Sequence, residues 1–340
     1  MKHIFIINPA AGKDNSFENI RKILELKKVK VDYELYETQA PGDATAYIRK
    51  YCTENHDPVR FYACGGDGTL NEVVSGVLSA ENRPLVGYIP SGTTNDFARS
   101  LRIPRKILRA ARAIVDGGEI PFDIGRFADR RFCYIASFGA FVKSAYSAPQ
   151  RLKNILGHTA YILRGIADVA TINHPHHIRL ECDEMKVEGD FIFGAISNST
   201  SFAGLLKLRR SVVDFNDGRF EVMLIRPMKT PHQISQCLRA IATKNYYEND
   251  QILFFHTGRL RVFSDPAMPW TLDGEFGGNI KSTEITLRKM QIFSRIAKLL
   301  FQPGECRNSQ RKKSAETAFR LVLFSRIFTY FHSITFLKTL

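Results

Sequence analysis

The sequence has few of the features that mark a specialised class of protein. Its six cysteines are scattered without a Cys-x-x-Cys pair, so they fit neither a zinc framework nor a disulfide scaffold and favour a reducing compartment. The apolar run that opens the chain stops at Asn8-Pro9 and is too short for a signal peptide, so we expect a cytosolic chain that begins with a strand. The 340 residues are 44% apolar and 24% charged, an ordinary globular composition whose length favours about two domains. Collagen, a disulfide mini-scaffold and a wholly disordered chain are excluded.

Acidic residues are scarce relative to basic ones. The chain has 34 Asp and Glu against 48 Lys and Arg, a net charge of +14. Residues 99–112 carry +6 of this and residues 305–340 carry +5. Such patches attract phosphate-bearing partners, either nucleic acid or anionic lipid. No basic motif is interleaved with aromatic residues, so nucleic acid is not an expected partner.

A long apolar run without charges is also absent. Residues 318–337 come closest, but they contain Arg320, Arg326 and His332, and arginine near the centre of a spanning helix is costly. We therefore expect the basic and apolar tail, residues 304–340, to attach at a membrane interface rather than to span. A poorly packed tail is the alternative.

Apolar runs and segments of helical periodicity alternate through the first part of the chain. Strands are predicted at 3–7, 31–36, 59–64 and 85–89, and helices at 17–28, 44–52, 70–78 and 105–115. This alternation predicts an α/β domain whose parallel sheet has helices on both faces. Each small-residue or polar loop falls at the carboxyl end of a strand, where open α/β sheets bind ligands.

After about residue 122 the pattern is mainly β. Strands are predicted at 131–137, 177–182, 191–197, 219–225 and 259–263, with helices only at 147–171 and 232–243. We expect an α/β domain over 1–122 and a β-rich sandwich or barrel over 123–290, with residues 291–303 packing back on the first domain. The glycines and proline of residues 117–121 predict a linker between the two.

The loop Gly65-Gly66-Asp67-Gly68-Thr69-Leu70-Asn71 is the strongest local signal. Glycines allow a backbone to approach phosphates, and the start of the next helix offers free N–H groups. Asp67 would repel phosphate without an intervening cation, so it implies Mg²⁺. A structural turn is the alternative, because this composition is typical of turns. The spacing fits neither a Walker A loop nor the Rossmann fingerprint.

Two more loops of small residues follow predicted strands. They are residues 8–13, which end in Lys13, and residues 91–97. Three such loops at one sheet edge are much less expected by chance than one. Together they form a candidate nucleotide cradle with Lys13 as the counter-charge.

These motifs together carry a family resemblance. I-I-N-P-A-A-G-K, G-G-D-G-T-L-N-E-V-V and P-S-G-T-T-N-D-F-A, with Leu272-Asp273-Gly274-Glu275 near the end, resemble the diacylglycerol kinase catalytic-domain family, specifically its soluble bacterial lipid kinases. The resemblance covers about residues 1–300 in matching order. NAD kinases and phosphofructokinases share the G-G-D-G core, so the resemblance implies an N-terminal domain of their kind.

The resemblance also implies where ATP and Mg²⁺ bind. An acidic network of Asp67, Asp96 and Asp123 would hold Mg²⁺ through water. A second, structural Mg²⁺ would take the Asp217 side chain and main-chain oxygens of Asp214 and Arg219, although N-D-G is also an ordinary hairpin turn. The positions that match nucleotide contacts are Asn8, Pro9, Ala10, Ala11, Gly12, Lys13, Thr38, Gly65, Gly66, Asp67, Gly68, Thr69, Leu70, Asn71 and Thr93.

Phosphorylation of a lipid hydroxyl needs a base, and the resemblance places that base at Glu275, with Asp273 assisting or positioning it. Diacylglycerol is the leading acceptor, which would give phosphatidic acid. Another lipid alcohol, a soluble diol or NAD is the alternative acceptor. A non-catalytic membrane-binding module on the same fold is the alternative class, but the intact Asp67, Asp273 and Glu275 disfavour it.

The basic segments predict where such an enzyme would dock. Residues 105–115 and 205–210 combine apolar and basic side chains, and each basic residue near an anionic leaflet contributes about 1 kcal/mol. We expect a cytoplasmic enzyme that associates peripherally with the inner face of the membrane. Acyl-chain preference and oligomeric state, a homodimer included, stay open.

Overall fold

The computed structural model describes residues 1–11, 18, 20–21, 32–81, 84–104, 118–139, 175–202 and 206–294. These residues belong to one compact unit, Met1–Ala297. The predictions for Gly12, Lys13, the helices at 105–115 and 147–171 and the tail at 304–340 lie outside the described residues.

The described elements follow one another in the order that the alternation predicts, first α/β and then mainly β. The helices are α1 (Asp43–Glu54), α2 (Asp67–Val77), α3 (Asp96–Ser100) and α4 (Pro231–Thr243), with 3₁₀ turns at Arg210–Val212 and Tyr246–Glu248. The strands are β1 (Lys2–Ile7), β2 (Tyr33–Glu37), β3 (Val59–Gly65), β4 (Leu85–Pro90), β5 (Gly118–Phe127), β6 (Arg130–Phe132), β7 (Ile135–Gly139), β8 (His176–Cys182), β9 (Lys186–Phe191), β10 (Phe193–Ser197), β11 (Ser201–Phe202), β12 (Leu206–Lys207), β13 (Phe220–Ile225), β14 (Ile252–Thr257), β15 (Arg259–Leu272) and β16 (Glu275–Ser294).

The first four strands form the predicted parallel sheet, in the order β2-β1-β3-β4. β3 is buried along its whole length, as expected for a strand covered on both faces. The chain moves outward from β1 to β2 and then crosses to β3 on the other side of β1. The carboxyl ends of β1 and β3 therefore flank a topological switch point, where α/β sheets bind ligands.

Helices α1 and α2 pack against each other. Gly76 permits their close approach, because a Cβ there would lie 2.9 Å from the Cβ of Ile48. The helix α2 begins at Asp67, three residues before the predicted start. Its first-turn carboxylate faces the positive end of the helix dipole, which favours this earlier start.

The later described residues are mainly β, as predicted, and form an antiparallel sheet in the order β14-β13-β10-β7-β15-β16. The end of β16 also pairs in parallel with β4, at Ile292 opposite Val86 and Phe293 opposite Gly87. Through this pairing the two sheets are continuous, and fourteen strands of the described residues join in one sheet. The extent of each domain stays a prediction.

The predicted linker at residues 117–121 is wrong for the residues that the structure describes. Gly118 begins β5, which pairs with β16 from Gly118 opposite Ser294 to Phe127 opposite Ile285. Gly118 and Pro121 are tolerated because the first four residues of β5 are exposed or only partly buried.

The chain's only tryptophan lies in the core of the antiparallel sheet. Trp270 is 1% exposed, and its ring centroid lies 4.9 Å from that of Phe127 and 5.0 Å from that of Phe138. Its burial just before the Asp273-Gly274 turn fixes the end of β15. Of the helices in the described part of the chain, none is both long and apolar enough to span a membrane.

Candidate active site

The loop after β1 is tied to the beginning of α2. The main-chain N–H of Asn8 donates to the carbonyl of Cys64 over 3.0 Å, and the Asn8 side-chain amide donates to the Thr69 hydroxyl over 3.1 Å. The Asn8 carbonyl oxygen Oδ1 accepts from Ala10 N over 2.9 Å. Pro9 and Ala10 are exposed in this loop, and their contact with a nucleotide stays a prediction.

Glycines bring the loops after β3 and β4 into backbone contact. Ser91 N donates to the Gly65 carbonyl over 2.8 Å. A Cβ on Gly92 would lie 2.6 Å from the Gly66 Cα, and a Cβ on Gly65 would lie 2.3 Å from Thr69 Oγ1. Larger residues would therefore separate the loops.

The first turn of α2 presents main-chain N–H groups at this edge. Its N-cap is Gly66, and no side chain of the described residues caps it. The first N–H groups of a helix have no acceptor within the helix and favour anions such as phosphate. This feature fits the predicted phosphate loop.

The remaining predicted nucleotide residues lie at or behind the same edge. The main-chain N–H of Thr38 donates to the carbonyl of Ile7 over 2.9 Å, which places Thr38 beside the end of β1. Thr93 is exposed in the loop after β4. The side chain of Leu70 is fully buried in the core, so only its backbone could contact a ligand.

Two of the predicted magnesium-network carboxylates are neighbours. Asp67 Oδ2 accepts from Asp96 N over 2.9 Å, and Asp96 Oδ1 accepts from the Ser201 hydroxyl over 3.0 Å. Arg99 lies 3.7 Å from the same oxygen of Asp96. Burial raises the pKa of Asp67 to about 6, and the negative charge of Asp96 adds to the rise.

The third predicted network residue, Asp123, has contacts elsewhere. Its Oδ2 accepts from Gly218 N over 2.8 Å, and its main-chain carbonyl accepts from Asn198 Nδ2 over 2.7 Å. Its Oδ1 is buried without a hydrogen-bond partner among the described residues. Its contacts therefore join it to the N-D-G turn, the predicted structural magnesium site, rather than to Asp67 or Asp96.

Within that turn the carboxylates bond to nearby backbone. Asp217 Oδ1 accepts from Arg219 N over 2.9 Å, and Asp214 Oδ1 accepts from Asn216 N over 3.2 Å. Both aspartates are exposed. No group of three or more His, Cys, Asp or Glu side chains in the described ranges is arranged to hold a metal ion. Both magnesium assignments stay predictions.

The predicted catalytic motif forms the tight turn between β15 and β16. Asp273 and Gly274 both have positive φ, 51° and 87°, which is typical of a two-residue type I′ hairpin turn. The Asp273 carboxylate is buried and accepts four hydrogen bonds, from Cys133 N (2.6 Å), Asn71 Nδ2 (2.8 Å), Tyr134 N (3.0 Å) and Ile135 N (3.1 Å). The carboxylate therefore anchors the turn.

This anchor explains an error in the predicted strand at 131–137. The structure has two strands, β6 and β7, separated at Cys133 and Tyr134. Their N–H groups point at Asp273 and cannot take part in strand pairing. Burial raises the pKa of Asp273 to about 6, although the hydrogen bonds from Cys133, Asn71, Tyr134 and Ile135 act in the opposite direction.

Asn71 connects α2 to this turn. Its amide group donates to Asp273 Oδ2 over 2.8 Å and to the Arg131 carbonyl over 3.0 Å. The resemblance implies a nucleotide contact for Asn71, whereas here its side chain holds the Asp273 turn.

Glu275 is exposed and lies over the first turn of α2. A Cβ on Gly68 would be only 2.7 Å from Glu275 Oε1. Protein atoms around the carboxylate remove part of its water and raise its pKa, Glu72 raises it further, and Arg130 lowers it. The site thus combines a carboxylate of increased basicity with the free N–H groups of a helix start.

Several residues of the site have no motif signal. Tyr88 donates to Asn95 Oδ1 over 3.1 Å, Ser201 donates to Asp96, and the Tyr134 hydroxyl donates to the Asp273 carbonyl over 3.1 Å. Asn95 is the exception, because it lies in the P-S-G-T-T-N-D-F-A motif, and asparagine is one of the few residues that readily adopt its φ of 50°.

A glycine-lined sheet edge at a switch point, with a carboxylate beside a helix N-terminus, fits a phosphotransferase-type site. Comparisons with known proteins give the family. A sequence model described as the diacylglycerol kinase catalytic domain matches residues 2–127. A diacylglycerol kinase of Bacillus subtilis (strain 168) is 33% identical over 286 residues, which are 83% of this chain and 92% of the relative. A diacylglycerol kinase of Staphylococcus aureus (strain MRSA252) is 29% identical over 291 residues, 85% and 91% of the two chains.

Solved structures confirm the fold. A crystal structure from Bacillus anthracis (strain Sterne) matches with a TM-score of 0.71 at 23% identity, over 86% of this chain and 95% of the other. A crystal structure of a diacylglycerol kinase from the same strain gives 0.64 at 20% identity, over 86% and 96%.

The chain therefore belongs to the diacylglycerol kinase catalytic-domain family, as its motifs predict. It is a lipid kinase, and a kinase of this family uses ATP.

Proposed function

We propose that the protein transfers the γ-phosphate of ATP to the hydroxyl of diacylglycerol and so produces phosphatidic acid. The acceptor is inferred from the names of the relatives. The observation that carries the chemistry is the position of the Glu275 carboxylate over Gly68, in the first turn of the helix that receives the phosphates.

In this proposal Glu275 accepts the proton of the lipid hydroxyl as the hydroxyl oxygen bonds to the γ-phosphorus of ATP, while the bond from that phosphorus to the β,γ-bridging oxygen breaks and ADP leaves. A base needs a pKa closer to the operating pH than an ordinary glutamate has, and the surroundings of Glu275 raise it. Asp273 has all its acceptor capacity engaged by four donors, so its role is to position Glu275. The first N–H groups of α2 and the backbone of residues 8–11, 65–68 and 93 would cradle the nucleotide phosphates.

Mg²⁺ fits the donor set beside this cradle. Asp67 and Asp96 supply the hard carboxylate oxygens that the ion prefers, and the oxygens of Asp67 already accept protein N–H groups. This arrangement favours contact through water, with the ion neutralising phosphate charge when bound. Asp123 and the site of Asp214, Asp217 and Arg219 would serve a second, structural ion.

We place the enzyme at the inner face of the cytoplasmic membrane. The described basic side chains near α3 are Arg99 and Arg102, and Arg210 reaches this helix through a bond to the Ser100 carbonyl of 3.3 Å. Arg209, in the predicted basic segment 205–210, is exposed, as is Arg102, and it donates to the Thr243 carbonyl over 3.4 Å. Anionic lipid attracts such side chains by about 1 kcal/mol per basic residue.

The test is transfer of labelled phosphate from ATP to a panel of lipids in mixed micelles, with a soluble diol and NAD as competing acceptors. We expect the label to be transferred to diacylglycerol by the wild type and not by Glu275→Gln. Glu54 is exposed at the end of α1, so Glu54→Gln should keep wild-type activity. Label in NAD or in the diol would mean that the acceptor belongs to that class and is not a lipid. Absence of ATP turnover with every acceptor would favour the membrane-binding module.

A further inference from the structure

A second carboxylate of α2 lies one helical turn beyond Gly68. Residues four apart share a helix face with Cβ atoms about 5–6 Å apart, so Glu72 is on the face that Glu275 covers. Glu275 Oε1 lies 2.7 Å from the place of a Cβ on Gly68. The negative charge of Glu72 is close enough to Glu275 to raise the pKa of its carboxyl.

Hydrogen bonds hold Glu72 in this place. Its Oε1 accepts from Gly42 N over 2.9 Å, and its main-chain carbonyl accepts from the Thr45 hydroxyl over 2.8 Å. Gly42 is the N-cap residue of α1, has φ 86°, and has no side-chain capping bond. Glu72 thus supplies an acceptor at the beginning of α1 that α1 does not provide itself.

The charged groups that face Glu275 in the described part of the chain are few. Glu72 from α2 raises the pKa of Glu275, in addition to the effect of lost water, and Arg130 from β6 lowers it. Arg130 is held by its bond to the Phe276 carbonyl, 2.8 Å long. Asp273, two residues before Glu275, is surrounded by its four donors.

We propose that Glu72 is a positioning residue of the phosphotransfer, whose fixed negative charge strengthens Glu275 as a base while its hydrogen bond holds the loop that leads into α1. This inference rests on the proposed role of Glu275. It gives Glu72, the last residue of the G-G-D-G-T-L-N-E segment, a function that is separate from the phosphate contacts proposed for the loop.

Glutamine at position 72 separates the two parts of this role. The amide oxygen of Glu72→Gln can still accept from Gly42 N, but the charge is lost. Glu72→Ala removes both. A nearby like charge disfavours the ionised carboxylate, so its removal should lower the pKa of Glu275 by roughly half to one unit.

The experiment measures kcat/KM for the lipid acceptor from pH 5 to 9, with the full chain in mixed micelles, and thermal unfolding of each variant. We expect the acid limb of the Glu72→Gln profile to move to lower pH by about half to one unit. The rate on the alkaline plateau should fall by roughly two- to threefold, because a weaker base transfers the proton less well. The unfolding temperature should stay that of the wild type, whereas Glu72→Ala should lower it and shift the pH profile equally.

Glu54→Gln is the matched control, since it removes one negative charge from an exposed position of α1 that does not face Glu275. An acid limb of Glu72→Gln that coincides with the wild type, or that moves no more than in Glu54→Gln, would overturn the inference. A loss of activity in Glu72→Ala alone would make Glu72 a capping residue only. If Glu275→Gln keeps full activity, the proposed base is wrong, and that failure is recognised without any position 72 variant.

Discussion

Replacement of Asp273 by asparagine is expected to destabilise the fold as well as to stop phosphotransfer. Asparagine has the shape of aspartate, but one acceptor oxygen becomes an NH₂ group. Asp273 Oδ2 accepts from Cys133 N and Asn71 Nδ2, and Oδ1 accepts from Tyr134 N and Ile135 N. Whichever way the amide turns, two buried donors face another donor.

The expected loss follows from these two donors. A buried donor without an acceptor costs about 1–3 kcal/mol, so Asp273→Asn should lose about 2–6 kcal/mol of its free energy of unfolding. Domains are commonly stable by only about 5–15 kcal/mol. The variant should therefore unfold at clearly lower urea concentration, and activity should fall because the turn no longer holds Glu275 over α2.

Tryptophan fluorescence can measure this loss of stability. Trp270 is the only tryptophan, is 1% exposed and lies three residues before Asp273, so its fluorescence reports unfolding of this region in urea at pH 8. Glu275→Gln is the companion variant. Its side chain is exposed, so its free energy of unfolding should stay within about 0.5 kcal/mol of wild type while its activity is lost.

Two outcomes would refute this division of roles. Wild-type stability of Asp273→Asn together with loss of activity would mean that Asp273 acts on the substrate rather than on the fold. Unfolding of Glu275→Gln at the same urea concentration as Asp273→Asn would mean that the exposed glutamate is also structural.

Three further results are expected. Gly68→Ala should leave the thermal unfolding temperature unchanged or raise it, because alanine favours helix. It should nevertheless reduce kcat at least about tenfold, because the new Cβ displaces the Glu275 carboxylate. Full activity of Gly68→Ala would contradict the contact between Gly68 and Glu275. Burial raises the pKa of Asp67 to about 6, so its stabilising contribution is complete in acid and is lost as the pH rises through 6. In urea unfolding, the stability of Asp67→Asn relative to wild type should therefore be greater at pH 8 than at pH 4 by up to about 3 kcal/mol. A relative stability that does not change with pH would refute the raised pKa. The double variant Arg102→Glu/Arg209→Glu should sediment less with anionic vesicles but keep its activity in micelles. The control Lys186→Glu should bind the vesicles as wild type does. Equal binding by all three proteins would exclude these arginines as a membrane-docking surface.

The parallel sheet and its loops could be predicted because their signals are local. β1, β3 and β4 are apolar runs that each end in small or polar residues, and the carboxyl ends of parallel strands meet at one edge. The loops of Asn8, Gly65 and Gly92 therefore had to come together once the alternation was recognised. Strand order was the only long-range information needed to predict that adjacent strands are buried and that a switch point lies between them.

The partners of the Asp273-Gly274 turn could not be predicted, because they are distant in sequence. Asn71 and Asp273 are 202 residues apart, and Cys133 and Asp273 are 140 apart. No periodicity records that a carboxylate will break a strand at Cys133 and Tyr134. The linker prediction at 117–121 failed for a related reason: glycine and proline indicate a loop locally, but the edge of β16 was available to pair with them.

Under the proposed function, the D-G-E motif divides into an anchor, Asp273, and a base, Glu275, and helix α2 contacts both. Asn71 binds the anchor, Gly68 leaves room for the base, and the N-terminus of the same helix faces the predicted phosphate site. Under the proposed function, the distance between base and phosphate depends on the bond that joins Asn71 of α2 to the Asp273 turn, because Glu275 begins β16 and the phosphate site lies at the start of α2. Because a misplacement of about 1 Å can cost about a hundredfold in rate, substitutions that loosen Asn71 should lower kcat while nucleotide affinity, which the loops of Asn8 and Gly66 provide, stays near wild type.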